Sequence, residues 1–261
     1  MIGAIFGDII GSVFEWDGIK TTNFDLFNDN STFTDDSVMN IATARSLMEN
    51  RDYATEYRSF GRKYPDAGYG SGFNKWVFSD TMGPYNSFGN GSAMRVSPIG
   101  FAFNDLDTVL SEAKKSAEVT HNHPEGIKGA QATAQAILMA RKGSSKDEIR
   151  KSIQEFYNYN LTRTCDNIRP VYSFDGSCQG TVPEAIVAFL DSDSFEDAIR
   201  RAVSLGGDAD TLACITGGIA QAFYKMIPKE IGEMAFSLLP NEFLKTIVQF
   251  NTKYGIKISC E

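Results

Sequence analysis

Glycine recurs at every fourth position in the opening stretch MIGAIFGDIIGSVFEWDGIK, as Gly3, Gly7 and Gly11, and most residues between are apolar. Residues four apart share a helical face, so the three glycines form a smooth stripe on which a second element can approach closely. A chain that begins this way must bury its first helix. The same spacing marks membrane dimerisation faces, but Asp8 and Glu15 interrupt the run, and its apolar length is far short of the roughly 20 residues needed to span a bilayer. No basic region precedes it, so it does not read as a secretion signal. We expect a buried helix of a soluble protein, with no membrane association.

Helical periodicity continues along the chain. In SFEDAIRRAVSL, Phe195, Ala198, Ile199, Ala202 and Val203 fall on one stripe behind Ser194, which is placed to cap it. In SSKDEIRKSIQEFY, Ser145 and Glu148 form a capping box ahead of Ile149, Ile153 and Phe156. Further helices are expected at about 35–49, 106–119, 126–141, 209–226 and 240–250, while strand-like alternation is weak and brief. With 261 residues, 42% of them hydrophobic, and no repeat or low-complexity linker, a single all-α domain over 1–261 follows. Segments 64–93 and 161–182 read as long ordered loops, rich in glycine, serine, asparagine and aromatics. The formal charge of -8 without a basic run leaves no nucleic-acid groove to expect. Cys165, Cys178, Cys214 and Cys260 are scattered, which argues for a reduced, cytoplasmic setting.

Chemistry concentrates at helix starts. SLGGDADTLACITGGIAQAFY places Asp208, Asp210 and Thr211 before a small, apolar helix, and FTDDSVMNIATARSLME places Thr34, Asp35, Asp36 and Ser37 in the same format. One carboxylate there is an ordinary cap; two carboxylates and a hydroxyl, repeated, exceed that need. Carboxylates and hydroxyls without His or Cys suit a hard divalent cation such as Mg²⁺, with Mn²⁺ or Ca²⁺ as alternatives. If the two starts meet, with Glu15 on a third helix, they can hold two ions. Simple capping explains either cluster alone equally well.

Three further segments stand out. In NSFGNGSAMRVSPIG, Gly89 and Gly91 flank Asn90 before an apolar helix start, a format that can cradle a phosphate on backbone N–H groups and that a plain tight turn also satisfies. The only two histidines, His121 and His123, precede a helix opened by Pro124, and suit hydrogen bonding to a polar ligand or a surface turn. Tyr172 and Phe174 precede another helix, where they could stack on a base or pack inward.

Taken in order, GAIFGDIIGSVFE, FTDDS, FGNGSAMRVSPIG, THNHPEGIKGA and GGDADTLACITGGIAQAFY resemble the ADP-ribosylglycohydrolase family, which includes dinitrogenase-reductase-activating glycohydrolases and the ADP-ribosyl-acceptor hydrolases of animals. The resemblance covers residues 3–224 and leaves 50–85 and about the last 35 residues unmatched. It implies a compact all-α fold with two Mg²⁺ in a cleft. Thr34, Asp35 and Asp36 match the family's first metal-binding motif, and Asp208, Asp210 and Thr211 the second. Glu15 matches an acidic residue beside the metals implicated in catalysis and substrate gating; either Glu15 or a metal-bound carboxylate such as Asp36 would serve as base. Ser87, Phe88, Gly89, Asn90 and Gly91 match the loop that holds the diphosphate and neighbouring ribose of ADP-ribose, and His121 a ligand-contacting histidine. Phe88 stands where some members carry Tyr, and Ser37 where others carry Thr.

The implied reaction is metal-dependent removal of ADP-ribose from a mono-ADP-ribosylated protein or other ADP-ribose conjugate, by cleavage at C1″. The form THNHPEGIKGA resembles the dinitrogenase-reductase-activating branch, so arginine is the acceptor expected, and a monomer is the default assembly. Two alternatives are an ADP-ribose-binding or crystallin-like protein without turnover, and a nucleotide-diphosphate hydrolase, which would release AMP.

Overall fold

The computed structural model describes residues 1–257 in full and 259–260 by their backbone. Helices α1 (Ile2–Gly11), α2 (Asp35–Glu49), α3 (Tyr53–Lys63), α4 (Ser71–Val77), α5 (Gly91–Met94), α6 (Ser97–Ala102), α7 (Leu106–Glu118) and α8 (Pro124–Arg141) make the first half. The second half adds α9 (Lys146–Tyr157), α10 (Cys165–Ile168), α11 (Cys178–Asp191), α12 (Phe195–Val203), α13 (Ala209–Tyr224), α14 (Lys229–Ser237) and α15 (Asn241–Tyr254). Among the described residues, regular strand is confined to β1 (Met226–Ile227) and β2 (Ser259–Cys260), which pair in parallel. The fold is all-α, as the sequence periodicity requires.

Every residue of α1 is buried, and its partner is α13. The glycine stripe sets their distance: a Cβ on Gly3 would collide with the Gly217 carbonyl, one on Gly7 with that of Ala213, and one on Gly11 would lie 2.5 Å from that of Ala209. As the numbers rise along α1 they fall along α13, so the two helices run antiparallel with their backbones in contact. Ile5, Phe6, Ile9 and Ile10 are fully buried around this pair, each contributing about 1.5–3 kcal/mol of transfer free energy. Helices α8, α11 and α12 surround α13, while α2 and α14 pack on α1. The end of α1 and the start of α13 therefore face the same way, and α2 begins beside them.

The expected helices at 35–49 and 106–119 form as Asp35–Glu49 and Leu106–Glu118, and the caps at Ser194 and Ser145 accept from the backbone N–H groups of Asp197 and Glu148. The expected starts near 126 and 240 form as Pro124 and Asn241, and the end near 250 extends to Tyr254. The two long loops contain helices: α4 lies inside 64–93, and α10 inside 161–182, started by a capping box between Thr164 and Asn167. Cys165, Cys178 and Cys214 are free and buried; the side chain of Cys260 lies outside the described residues. No described helix is long and apolar enough to cross a membrane.

Candidate active site

A cavity of about 490 Å³ opens where α1, α2 and α13 meet. Glu15, Asp35, Asp36, Asp208, Asp210 and Thr211 line one wall, and Ser87, Gly89, Asn90, Gly91 and His121 line the facing one. Segments separated by up to about two hundred residues of sequence thus converge on one space. Thr34 and Phe88 do not line it. Thr34 caps α2 by accepting from the Asp36 N–H at 3.3 Å, and Phe88 packs edge-on against His123, with centroids 5.3 Å apart.

Asp8 organises the carboxylate wall, a role that its place in an apolar helix did not disclose. Thr34 donates its backbone N–H at 3.0 Å and its hydroxyl at 2.6 Å to Asp8, and Ser37 donates its N–H at 3.0 Å and also its hydroxyl. Four donors stabilise the anion, yet burial outweighs them and pushes the Asp8 carboxyl up to about 6. One available sequence signal is the seven-residue spacing of Asp8 and Glu15, two helical turns apart.

Two groups of carboxylate oxygens overlap. Asp8, Asp36 and Asp210 each place one oxygen within 4.8 Å of the others, and so do Glu15, Asp208 and Asp210. Asp210 belongs to both. Asp35 stands outside both groups, although it lines the same wall. Thr211 donates its hydroxyl to Asp36 at 3.3 Å and its backbone N–H to Asp210 at 2.9 Å.

This crowding is electrostatically unfavourable by itself. Burial first, then the neighbouring carboxylates, raise Asp35, Asp36 and Asp210 well above the usual range. Burial, with Asp208 and Asp8 beside it, lifts Glu15 to about 7. One oxygen of Asp36 is buried without any hydrogen-bond partner, and an unsatisfied buried acceptor costs about 1–3 kcal/mol. Divalent cations coordinated by oxygen would relieve both penalties, and this donor set of carboxylates and a hydroxyl fits Mg²⁺, Mn²⁺ or Ca²⁺. The residues present therefore fit a metal centre.

The facing wall differs from a simple phosphate cradle. The Gly89 N–H is taken by the Ser87 hydroxyl at 3.1 Å and the Asn90 N–H by the Gly176 carbonyl at 2.8 Å. Gly91 and Ser92, at the start of α5, donate to no protein acceptor among the described residues. Of these two only Gly91, one of the two glycines of the motif, lines the cavity; Ser92 is fully buried behind it. The Asn90 amide donates to Asp208 at 2.7 Å and to Thr181 at 3.0 Å, so Asn90 ties the loop to the carboxylate wall. His121 is buried and kept neutral chiefly by desolvation, with Arg95 adding to the effect. His123 does not reach the cavity; it caps α8, accepting from the Glu125 N–H at 3.1 Å. Tyr172 is absorbed in packing, its hydroxyl donating to Gly180 at 3.1 Å. Phe174 instead lies on the rim, stacked 5.6 Å from Trp16, and both rings are exposed. Trp16 was not singled out from the sequence, where it follows Glu15 with no pattern of its own.

Comparison with known proteins gives the family. The ADP-ribosylglycohydrolase family profile matches residues 1–237. ADP-ribosylhydrolase ARH3 of Bos taurus is 27% identical over 87% of this chain and 84% of its own length, and that of Homo sapiens 28% over the same shares. ADP-ribosylarginine hydrolase Tri1 of Pseudomonas putida (strain GB-1) is 29% identical over 57% of this chain and 43% of its own length. A solved structure, described as an ADP-ribosylglycohydrolase-related protein complex, superposes with a TM-score of 0.68 at 21% identity, covering 98% of this chain and 94% of that one. With the helical fold, the convergent cavity and a family match over nearly the whole length, the chain belongs to the ADP-ribosylglycohydrolase family.

Proposed function

We propose that this enzyme hydrolyses the C1″ glycosidic bond of a mono-ADP-ribosylated acceptor with two Mg²⁺, or Mn²⁺, held between α1, α2 and α13. The observation that carries the reading is the sharing of Asp210 by two oxygen groups at one cavity, which is also lined by a loop whose Gly91 N–H is unspent. Asp8, Asp36, Asp208, Asp210 and Glu15 would hold the cations, with Thr211 and Asp35 alongside, and Thr34 acting through Asp8. When bound, such cations neutralise the carboxylates and acidify water.

The protein's own groups supply the rest. Gly91 offers its N–H group, and His121 a ring nitrogen, to the diphosphate and adjoining ribose; Ser87, Gly89 and Asn90 shape that wall, and Phe88 lies just outside it. This places the distal sugar toward Asp36 and Glu15. Glu15, half-buried beside the carboxylates, accepts a proton from the attacking water as the bond from C1″ breaks and the protonated acceptor leaves with the bonding pair as a neutral guanidine. The carboxylates on the wall stabilise positive charge developing at the anomeric carbon.

Arginine is the proposed acceptor. Support comes from the stacked Trp16 and Phe174 beside Glu15, since a planar guanidinium binds well over exposed aromatic faces. The relative named as an ADP-ribosylarginine hydrolase adds to it. A reducing cytoplasm, which the buried free thiols support, and a monomeric state complete the proposal.

Peptides carrying mono-ADP-ribosyl-arginine or mono-ADP-ribosyl-serine, incubated with Mg²⁺ or with EDTA and read by mass spectrometry, test this. Release of intact ADP-ribose from the arginine peptide, abolished by EDTA, is expected. Release from the serine peptide alone would replace the acceptor, AMP release would replace the reaction, and binding of ADP-ribose without release from either peptide would indicate a silent binding protein.

A further inference from the structure

Arg95 is a buried cation without a counter-ion. The residue is 1% exposed, and among the described residues its guanidinium meets an aromatic ring, a carbonyl and a hydroxyl and no carboxylate. It lies over the Tyr57 ring, 4.4 Å from the centroid. One guanidinium nitrogen donates to the Ser116 carbonyl at 2.7 Å and to the Thr120 hydroxyl at 3.0 Å. That hydroxyl lies 2.7 Å from Nδ1 of His121. Arg95 can only donate, so Thr120 accepts from it, and the one hydroxyl hydrogen has His121 Nδ1 as its sole remaining partner. The reverse arrangement would leave that hydrogen buried and unpaired, because Thr120 is fully buried and makes no other side-chain hydrogen bond.

We infer that Arg95 and Thr120 are positioning residues that lock His121 in the neutral tautomer with its hydrogen on Nε2, as a fixed donor to an oxygen of the ADP-ribose diphosphate. Nε2 faces the glycine loop: it lies 3.4 Å from where a Cβ on Gly89 would sit and 3.3 Å from one on Gly91. It makes no hydrogen bond to the protein among the described residues. Arg95 is also the one permanent cation among the residues lining the cavity. Its charge, which no ion pair offsets, favours an anion at this end of the cavity. The ligand part of the inference rests on the function proposed above; the tautomer does not.

Nitrogen-15 NMR of the ligand-free protein decides the tautomer, with a His123→Asn variant assigning the only other histidine. An unprotonated Nδ1 on His121 is expected, shifting in Thr120→Val and restored in Thr120→Ser. A protonated Nδ1, or a Thr120→Val spectrum unchanged at His121, overturns the relay whatever the protein hydrolyses. For the ligand, Thr120→Val is expected to weaken ADP-ribose binding about tenfold, the worth of one hydrogen bond. KM should rise with it while kcat at saturation changes less than about threefold, and Thr120→Ser should recover both. Equal affinity in the two variants overturns the donor role. Wild-type protein with the expected tautomer and no affinity for ADP-ribose would instead overturn the functional reading and leave the lock standing.

Discussion

The two walls of the cavity are built by opposite means. The carboxylate wall stands at the ends of α1, α2 and α13, of which α1 and α13 are held together by direct backbone contact. The facing wall is a loop and a four-residue helix, held by Asn90 across to Asp208 and by the Gly89–Ser177 bridge. Crowded like charges need a scaffold that cannot relax away from them, whereas a diphosphate needs donors whose direction matters more than their stiffness. The difference predicts that mutations behind the carboxylate wall damage folding or turnover, and that mutations in the facing wall damage affinity.

The largest effect should come from the scaffold itself. A side chain on Gly7 meets the Ala213 backbone, which no rotamer change can clear, so Gly7→Val should cost about 3 kcal/mol or more in urea unfolding. A cost below about 1 kcal/mol would mean that the helix pair can open. Next is Asp210→Asn, expected to lower kcat by about a thousandfold or more, a loss typical of groups acting on developing charge. The metal-free protein should nevertheless become more stable, because one repelling carboxylate is gone. Lost stability instead would return the cluster to plain capping. Glu15→Gln should lower kcat by about a hundredfold with cation affinity reduced far less, since Asp208 and Asp210 of its oxygen group remain.

A pH scan separates charge from packing. Asp8 is raised to about 6 and Glu15 to about 7, so between the unfolded values and these the folded chain binds more protons than the unfolded one. Stability must then fall as pH rises through that window. In EDTA, Tm at about pH 8 should lie roughly 5 °C below that at about pH 5, and Mg²⁺ should close the gap. A Tm that rises with pH in EDTA would contradict the burial of these acids. The smallest effect belongs to Phe88→Leu, whose ring lies outside the cavity lining: ADP-ribose affinity should change by less than about threefold.

Much of the scaffold was legible because it follows local rules. Glycine spacing named the buried helix, and capping residues placed helix starts at Asp35, Lys146 and Phe195 within the sequence. Both acidic clusters were legible as clusters for the same reason, and residues of both line one cavity in the packed structure. Asp8 was not, because its four donors come from residues 26 and 29 positions later, a relation that exists only after folding. The roles of Asn90 and Thr34 were blurred similarly: the motif placed them at the site, and only the packed structure shows them serving Asp208 and Asp8. The helices inside the expected loops were hidden by their length, four and seven residues, too short to show a period.

Calorimetric titration of metal-stripped protein with Mg²⁺, alongside Asp210→Asn, tests the central claim most directly. Because Asp210 lies in both oxygen groups, the wild type should bind two ions per chain and the variant should lose both. A wild type that binds none, or a variant that binds as the wild type does, would contradict the account.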